Sequence, residues 1–158
     1  MPGLDKEQCF RLVGPVDITP ILAVVNRLAY IGVGGSSPEK YKCDVVLAAH
    51  FPSELRALIS SLRLGGELAR AVVRRLAPRQ SIPPHIDAWM PAETDWRRFQ
   101  VPLVSHPDIV MRWPEDDIEV HLAPGFLYEV RFDRTHEVIH GADCERVHLQ
   151  VDQIAATI

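Results

Sequence analysis

Cysteine is scarce in this sequence, and the three that occur suit neither a disulfide framework nor a metal cluster. Cys9, Cys43 and Cys144 are odd in number and match no zinc-binding spacing. The N-terminus carries charged residues at positions 5 to 7, where a signal peptide would be apolar. We therefore expect a protein of the reducing cytoplasm.

Long apolar runs and an excess of positive charge are also missing. No hydrophobic stretch approaches the roughly 20 residues of a membrane-spanning helix. The formal net charge is -4 and the isoelectric point is about 5.9, which does not favour a broad surface for nucleic-acid phosphates. We therefore expect neither a membrane nor a nucleic-acid partner. The one local basic cluster is expected to be a solvated face, and it comprises Arg70, Arg74, Arg75 and Arg79.

The length of 158 residues fits a single domain, and its first 66 residues are predicted to form a mixed α/β support region. In that region Thr19 is predicted to cap a helix that has Pro20 in its first turn. Ser53 is predicted to open a second helix, which Gly65 and Gly66 end. These helices would flank a larger β structure.

Residues 67–152 consist of short apolar segments divided by Pro, Gly and Asp at intervals of about eight to twelve residues. Eight short strands predict a mainly β protein with flanking helices (α+β), built as a double-stranded β-helix, or cupin-like jelly roll. Pro124 and Gly125 are predicted to form a type II turn that joins two of the strands as a hairpin. The predicted strands are 67–76, 81–88, 98–104, 108–113, 117–122, 126–132, 135–140 and 145–152.

The motif His85-Ile86-Asp87, followed by His136 and Arg146, is the most informative feature. Alternate residues of a strand point to the same side, so the first histidine and the aspartate project together. Two histidines and one carboxylate can occupy one face of an octahedral Fe(II) ion, which leaves the other face for a bidentate oxoacid and dioxygen. An arginine can then hold the far carboxylate of the oxoacid.

Alternation also marks the last predicted strand. Polar side chains at every second position would share one face, which places Arg146 beside His148 and lets that histidine line a pocket. The polar residues are Arg146, His148 and Gln150, and the apolar residues between them are Val147, Leu149 and Val151.

In the order of these elements the chain resembles the Fe(II)- and 2-oxoglutarate-dependent oxygenases, and within them the aspartyl/asparaginyl β-hydroxylase-like branch. The resemblance covers roughly the C-terminal half. It is carried by residues 76–87, residues 98–103, Pro124-Gly125, residues 136–138, Arg146 and Asp152.

The resemblance implies that His85, Asp87 and His136 bind Fe(II), and that Arg146 binds the C5 carboxylate of 2-oxoglutarate. A planar guanidinium suits this partner because it can bind a carboxylate through two hydrogen bonds. The resemblance also implies that Arg98 and Gln100 contribute to the oxoacid pocket. They stand where the branch often has Arg-x-His, and here glutamine replaces that histidine.

The implied reaction consumes O2, converts 2-oxoglutarate to succinate and CO2, and hydroxylates an unactivated C–H bond of an amino acid or peptidyl residue. The retained Asp87 favours hydroxylation, because related halogenating enzymes leave this carboxylate position empty. The size of the chain slightly favours a small, amino-acid-like substrate. The segment from Trp89 to Trp96 could cover the site or pack on the jelly roll.

Two other classes of function stay open at this point. A noncatalytic jelly-roll binding or assembly module that keeps a metal site would fit two departures from the branch, Gln100 and a histidine, His140, where asparagine is frequent. A cupin-like iron enzyme that needs no oxoacid would be insensitive to Arg146→Ala. The sequence leaves the substrate and the oligomeric state open.

Overall fold

Ten strands, three α-helices and two short 3-10 helices (Ala48–His50 and Pro114–Asp116) are present in the computed structural model, which describes residues 3–29, 44–87 and 95–155. The α-helices are Lys6–Cys9 (α1), Thr19–Val25 (α2) and Ser53–Ser61 (α3). The strands are Phe10–Pro15 (β1), Asp44–Leu47 (β2), Glu67–Leu76 (β3), Ile82–His85 (β4), Trp96–Val104 (β5), Ile109–Trp113 (β6), Ile118–Val120 (β7), Phe126–Val130 (β8), His136–His140 (β9) and Arg146–Ile154 (β10).

The strands form two antiparallel sheets that face each other. The larger sheet has the order β1-β8-β5-β10-β3-β2, and the smaller has the order β4-β9-β6-β7. This arrangement is the predicted jelly roll, a double-stranded β-helix. No described helix is long and apolar enough to cross a membrane.

Strand β3 has the bounds that the sequence predicts, and each of the other seven predicted strands overlaps an observed one. Strands β1 and β2 were not predicted. They form the two edges of the large sheet through distant pairings, with Phe10 opposite Val130 and Asp44 opposite Arg75. Neither sequence, FRLVGP or DVVL, shows a sustained apolar–polar alternation, so pairing with a remote strand decides its structure.

The predicted hairpin around Pro124-Gly125 is wrong, although Gly125 does have the expected positive φ of 87°. Strand β7 pairs with β6 in the small sheet, whereas β8 pairs with β1 and β5 in the large one. The turn therefore carries the chain from one sheet to the other. The apolar sides of the two segments pack across the gap, where Ile118 contacts the cluster that contains Tyr128 and Val130.

Both predicted helices are confirmed, with corrections at their ends. Helix α2 has proline in its first turn, but Thr19 is its first residue, and the Asp17 carboxylate accepts a hydrogen bond from the Thr19 N–H at 3.0 Å. Helix α3 ends at Ser61, before the two glycines. At Gly66 (φ 67°) a Cβ atom would lie 2.1 Å from the carbonyl oxygen of Ile154, so glycine permits this close approach of two backbones.

The large sheet is covered on its outer side by α2 and α3 and on its inner side by the small sheet. On the outer side Leu149 and Val151 pack in one apolar cluster with Ile21 and Leu55 of the helices. On the inner side two smaller apolar clusters each combine residues of the two sheets. Polar side chains fill the space between these clusters, and the candidate site lies there.

The basic cluster on β3 does not form one solvated face, which corrects the expectation from the sequence. Arg70 and Arg74 flank the fully buried Val72 on the same side of the strand. The charge of Arg74 acts on His148 in the interior. Arg79 is exposed and pairs with Asp143 at 2.6 Å. Arg70 and Arg74 share one side of β3, Arg75 points to the other side, and Arg79 lies beyond the end of the strand.

Candidate metal centre

The small sheet brings His85, Asp87 and His136 together. His85 ends strand β4 and lies directly opposite His136, the first residue of β9. Strand β4 contains Pro83 and Pro84, which lack an N–H for pairing, and an edge strand tolerates this. One ligand atom from each of the three residues lies within 4.8 Å of the others. The ligand atoms of three side chains, up to 51 positions apart in the sequence, therefore converge.

Both histidines are held with the same ring nitrogen facing the carboxylate. Nδ1 of His85 lies 2.8 Å from the carbonyl oxygen of Pro83, and Nδ1 of His136 lies 2.8 Å from that of Arg134. A carbonyl only accepts, so each Nδ1 carries the proton and each Nε2 keeps a free lone pair. The two Nε2 atoms lie 3.6 Å from opposite oxygens of Asp87.

The charge states suit metal binding. Burial and the charge of His136 lower the pKa of His85, which favours its neutral form. Burial would raise the pKa of Asp87, but His136 and the Arg98 guanidinium outweigh it and hold that pKa well below its usual range. At neutral pH the centre thus offers a neutral His85 imidazole and an ionised Asp87 carboxylate, with the His136 ring beside them.

Arg98 links this centre to a second carboxylate on the large sheet. Its guanidinium donates to Asp87 and, through Nε and Nη2, to both oxygens of Asp152 at 2.8 and 3.0 Å. Asp152 is fully buried and lies opposite Arg98 in the β5–β10 pairing. Arg98 therefore orients the Asp87 carboxylate, a role that the sequence did not suggest. Asp152 was among the residues that carry the family resemblance, but the sequence assigned it no role.

The predicted Gln100 lies in a buried row of polar side chains next to Arg98. Gln100 Nε2 lies 3.2 Å from Gln150 Oε1, and Gln100 Oε1 lies 3.1 Å from His148 Nδ1. Arg146 lies next to His148 on the inner face of β10, on the side away from Gln150, and is also buried. Its charge lowers the pKa of His148 and of His140. The row thus runs from the metal centre toward Arg146, with Arg146 outside the triad itself.

Trp96, at the end of the segment that was expected to cover the site or pack on the jelly roll, and two further arginines make contacts within the protein. The Trp89–Trp96 segment falls largely outside the described residues, but the Trp96 ring packs on Phe132 with centroids 3.7 Å apart. The Arg98 guanidinium lies 4.9 Å from the Phe132 ring centroid. Arg97 and Arg112 pair with Glu129 and Glu137 in contacts of 2.6 to 2.7 Å. Both arginines are thus engaged within the protein.

The donor set fits a divalent transition metal such as Fe(II). One imidazole nitrogen from each histidine and one oxygen of the ionised carboxylate converge on one point, and hydrogen bonds from behind hold all three ligands. Such outer contacts are what orients metal ligands in proteins. The side chain of Asp87 keeps 27% exposure while that of His136 keeps 6%, so the centre opens to solvent on the β4 side.

Three solved structures of similar shape are enzymes that use 2-oxoglutarate or are named as hydroxylases. The carbocyclase SnoK from nogalamycin biosynthesis, described as α-ketoglutarate dependent, matches with TM-score 0.65 and 16% identity over 97% of this chain and 85% of its own. A Pseudomonas putida prolyl-4-hydroxylase matches with TM-score 0.63 and 14% identity over 95% and 94%. A viral collagen prolyl hydroxylase from Paramecium bursaria Chlorella virus-1, as its 2-oxoglutarate complex, matches with TM-score 0.60 and 12% identity over 98% and 100%.

At this identity the likeness shows a shared fold, the jelly-roll double-stranded β-helix. No protein-family model matches the sequence, and no curated protein matches it significantly. The chemistry must therefore be argued from the side chains themselves.

Proposed function

We propose that this protein is an Fe(II)- and 2-oxoglutarate-dependent oxygenase that hydroxylates an unactivated C–H bond of an amino-acid-like substrate, either free or within a peptide. One observation carries the proposal. The side chains of His85, Asp87 and His136 converge with free Nε2 lone pairs and an ionised carboxylate, at one edge of the space between the sheets.

The proposed metal ligands are His85, Asp87 and His136. Two histidines and one carboxylate leave three positions of an octahedral ion open, enough for a bidentate oxoacid and O2. When bound, the iron and 2-oxoglutarate supply the oxidising chemistry, with release of succinate and CO2. The protein holds the ligands: the carbonyls of Pro83 and Arg134 fix the two imidazoles, and Arg98 fixes Asp87.

The oxoacid is proposed to lie over the polar row, with Arg146 as the partner of its far carboxylate. Arg146 is buried on the inner face of β10, and a buried guanidinium binds a carboxylate strongly because little water competes. Arg98 was expected to help in this pocket. Its bonds to Asp87 and Asp152 support a role in orienting the metal ligand.

The substrate is proposed to approach from the β4 side, where the centre is exposed. On the opposite side the His136 side chain is buried. An open ligand face next to solvent suits a substrate that enters after the oxoacid has bound.

The test is an anaerobic titration of metal-free protein with Fe(II) and then 2-oxoglutarate, followed by visible absorption. A bidentate oxoacid complex has a weak metal-to-ligand charge-transfer band. We expect the band in the wild type, its loss in His136→Ala and a much higher 2-oxoglutarate requirement in Arg146→Ala. His106→Ala, at an exposed histidine far along the chain from the triad, is the matched control and should retain the band.

Absence of the band in folded wild-type protein would contradict the proposal and favour a noncatalytic binding module. An unchanged band in Arg146→Ala would remove that arginine from the oxoacid site. Exposure of the wild-type complex to O2 should then release succinate, slowly without substrate and faster with the correct amino-acid-like compound. Activity that persists in Arg146→Ala without added 2-oxoglutarate would point to an iron enzyme that needs no oxoacid.

A further inference from the structure

His148 is fully enclosed and yet half of its hydrogen-bonding capacity is unused. It is 2% exposed, and its Nδ1 lies 3.1 Å from the Gln100 side chain. Its Nε2 has no hydrogen-bond partner among the described residues. A buried polar atom without a partner costs free energy. The vacant nitrogen therefore needs an explanation, and a bound ligand would provide one.

The charges around His148 favour an anionic ligand. Burial lowers the pKa of His148 well below its usual value, and Arg146, His121 and Arg74 lower it further. The imidazole is therefore neutral at neutral pH, in surroundings whose main charges are positive. A neutral imidazole has one donor and one acceptor nitrogen, so the question is which nitrogen carries the proton.

Arg98 determines which ring nitrogen of His148 carries the proton, and it does so through the side-chain amides of Gln150 and Gln100. In one orientation of the Gln150 amide, its nitrogen faces the Arg98 guanidinium, so that two donors oppose each other. In this orientation the amide nitrogen makes a contact of 3.5 Å to Asp152. Turned by 180°, its oxygen accepts from Arg98 Nε and Nη2, both at 3.1 Å. Arginine has donors only, and amide orientation is assigned from such networks. The second orientation is therefore the favourable one.

The orientation of the Gln150 amide in turn determines which atoms of Gln100 and His148 donate and which accept. The Gln150 nitrogen, 3.2 Å from the Gln100 amide, donates to it, so Gln100 must present its oxygen there. The nitrogen of Gln100 then faces His148 Nδ1 at 3.1 Å and donates to it. An Nδ1 that accepts is unprotonated, so the proton lies on Nε2.

From this chain of donors we infer that His148 is a ligand-binding residue whose Nε2–H, together with Arg146, binds the distal carboxylate of the oxoacid. The inference rests on the proposed function for the identity of the ligand. His148 and the two metal-centre histidines hold opposite tautomers: His85 and His136 carry their proton on Nδ1, whereas His148 carries it on Nε2. Metal binding needs the first arrangement, and carboxylate binding needs the second.

The tautomer can be measured without metal or ligand. Long-range ¹H–¹⁵N correlation spectra of ¹⁵N-labelled, metal-free protein at neutral pH distinguish a protonated ring nitrogen from an unprotonated one. We expect protonated Nε2 in His148 and protonated Nδ1 in His85 and His136. The His148 signals are assigned by their absence in His148→Gln. A protonated Nδ1 in His148 would overturn the inference.

Ligand binding is tested by calorimetric titration of 2-oxoglutarate into protein loaded with Mn(II), which replaces Fe(II) without oxidation. His148→Leu removes the donor, and the loss of one hydrogen bond to a charged group should weaken binding on the order of 10- to 100-fold. His148→Gln keeps an N–H donor near the Nε2 position and should restore most of the affinity. His106→Gln is the matched control and should bind as the wild type does.

These outcomes separate the two ideas. If wild-type protein binds Mn(II) and 2-oxoglutarate and His148→Leu binds the oxoacid equally well, the inference is wrong and the proposed function is untouched. If the wild type binds no oxoacid, both are wrong. If His148→Leu fails to fold, wild-type protein loaded with diamagnetic Zn(II) gives the answer: 2-oxoglutarate should shift the His148 Nε2 resonance and leave that of His106 in place. An unmoved His148 resonance with bound oxoacid would overturn the inference.

Discussion

The two faces of strand β10 are equally buried but chemically opposite. Val147, Leu149 and Val151 face the helices and belong to the main apolar cluster. On the inner face lie polar residues with little or no exposure, and these are Arg146, His148, Gln150 and Asp152. Burial alone therefore does not distinguish a structural core from a functional site in this protein.

The partners of the side chains make the distinction. The outer face needs only close packing, and its residues contact others of the same kind. The inner face carries charges that would be costly to bury unless paired. It pairs Asp152 with Arg98, while one nitrogen of His148 has no hydrogen-bond partner in the described part of the chain. Unsatisfied and paired polar groups side by side are typical of a site that awaits a ligand. Substitutions on the two faces should therefore fail in different ways.

The largest effect is expected for Asp152→Ala on the inner face. Removal of this carboxylate leaves Arg98 buried with Asp87 as its remaining acidic partner, which should lower the free energy of unfolding by about 3 kcal/mol. Asp87 would also lose part of its orientation, so Mn(II) binding should weaken on the order of 10- to 100-fold. Urea denaturation and metal titration measure the two effects. Asp143→Ala, at an exposed carboxylate, is the control, and equal behaviour of both variants would contradict the prediction.

The adjacent Val151→Ala tests the outer face. Val151 is fully buried, and the loss of two methyl groups together with the cavity left behind should cost about 2 kcal/mol of unfolding free energy. Mn(II) affinity should stay within about twofold of the wild type, since the residue points away from the metal centre. Weakened metal binding in folded Val151→Ala would show that the two faces are coupled, against the comparison drawn here.

The free energy of unfolding should depend on pH through His148 on the inner face of β10, whereas the apolar residues of the outer face do not titrate. The pKa of His148 is lowered in the folded protein, so the unfolded chain takes up this proton first as the pH falls below about 6.5. Stability is then lost from that pH downward to the folded pKa, with a slope of at most about 1.4 kcal/mol per pH unit for one proton. His148→Gln should lose less stability than the wild type between pH 7.5 and 5.5 in urea denaturation. Parallel losses in both proteins would contradict the prediction.

The smallest effect is expected for Arg97→Ala, one position before Arg98 on β5. Arg97 is 42% exposed and pairs with Glu129 outside the site, and such surface pairs contribute less than about 1 kcal/mol. Thermal and urea denaturation should show a shift of that size at most, with unchanged Mn(II) affinity. Arg98→Ala, measured alongside, should lose metal affinity. A larger loss of metal affinity in Arg97→Ala would contradict the assignment of opposite faces to these two arginines.

Local pattern predicted several elements well. The sequence indicates β3 with its observed bounds and locates both α2 and α3, because helical spacing and strand alternation act within ten residues. The common face of Arg146 and His148 also follows from strand geometry, whereas Asp87 lies two residues beyond the end of β4, where its N–H donates to the Phe132 carbonyl at 3.2 Å. The correctly predicted features are properties of a single strand or helix, and neighbouring residues suffice to set them.

Other features required the folded chain. The pairing of Asp152 with Arg98 joins residues 54 positions apart, and the contact of Gln100 with His148 depends on the register between β5 and β10. The failed hairpin after β7 has the same origin, because a turn motif does not state which sheet the next strand will join. No local signal in the sequence encodes a register between distant strands.

The sequence by itself determined which residue types were available for a metal centre, their alternation along each strand, and the mainly β character of the chain. The tertiary structure decided that both faces of β10 are buried, that Arg98 bridges two carboxylates, and that His148 lies enclosed with one nitrogen unpaired among the described residues. The physical reason is that alternation assigns a side chain to a face, whereas only the packing of the second sheet determines what that face meets.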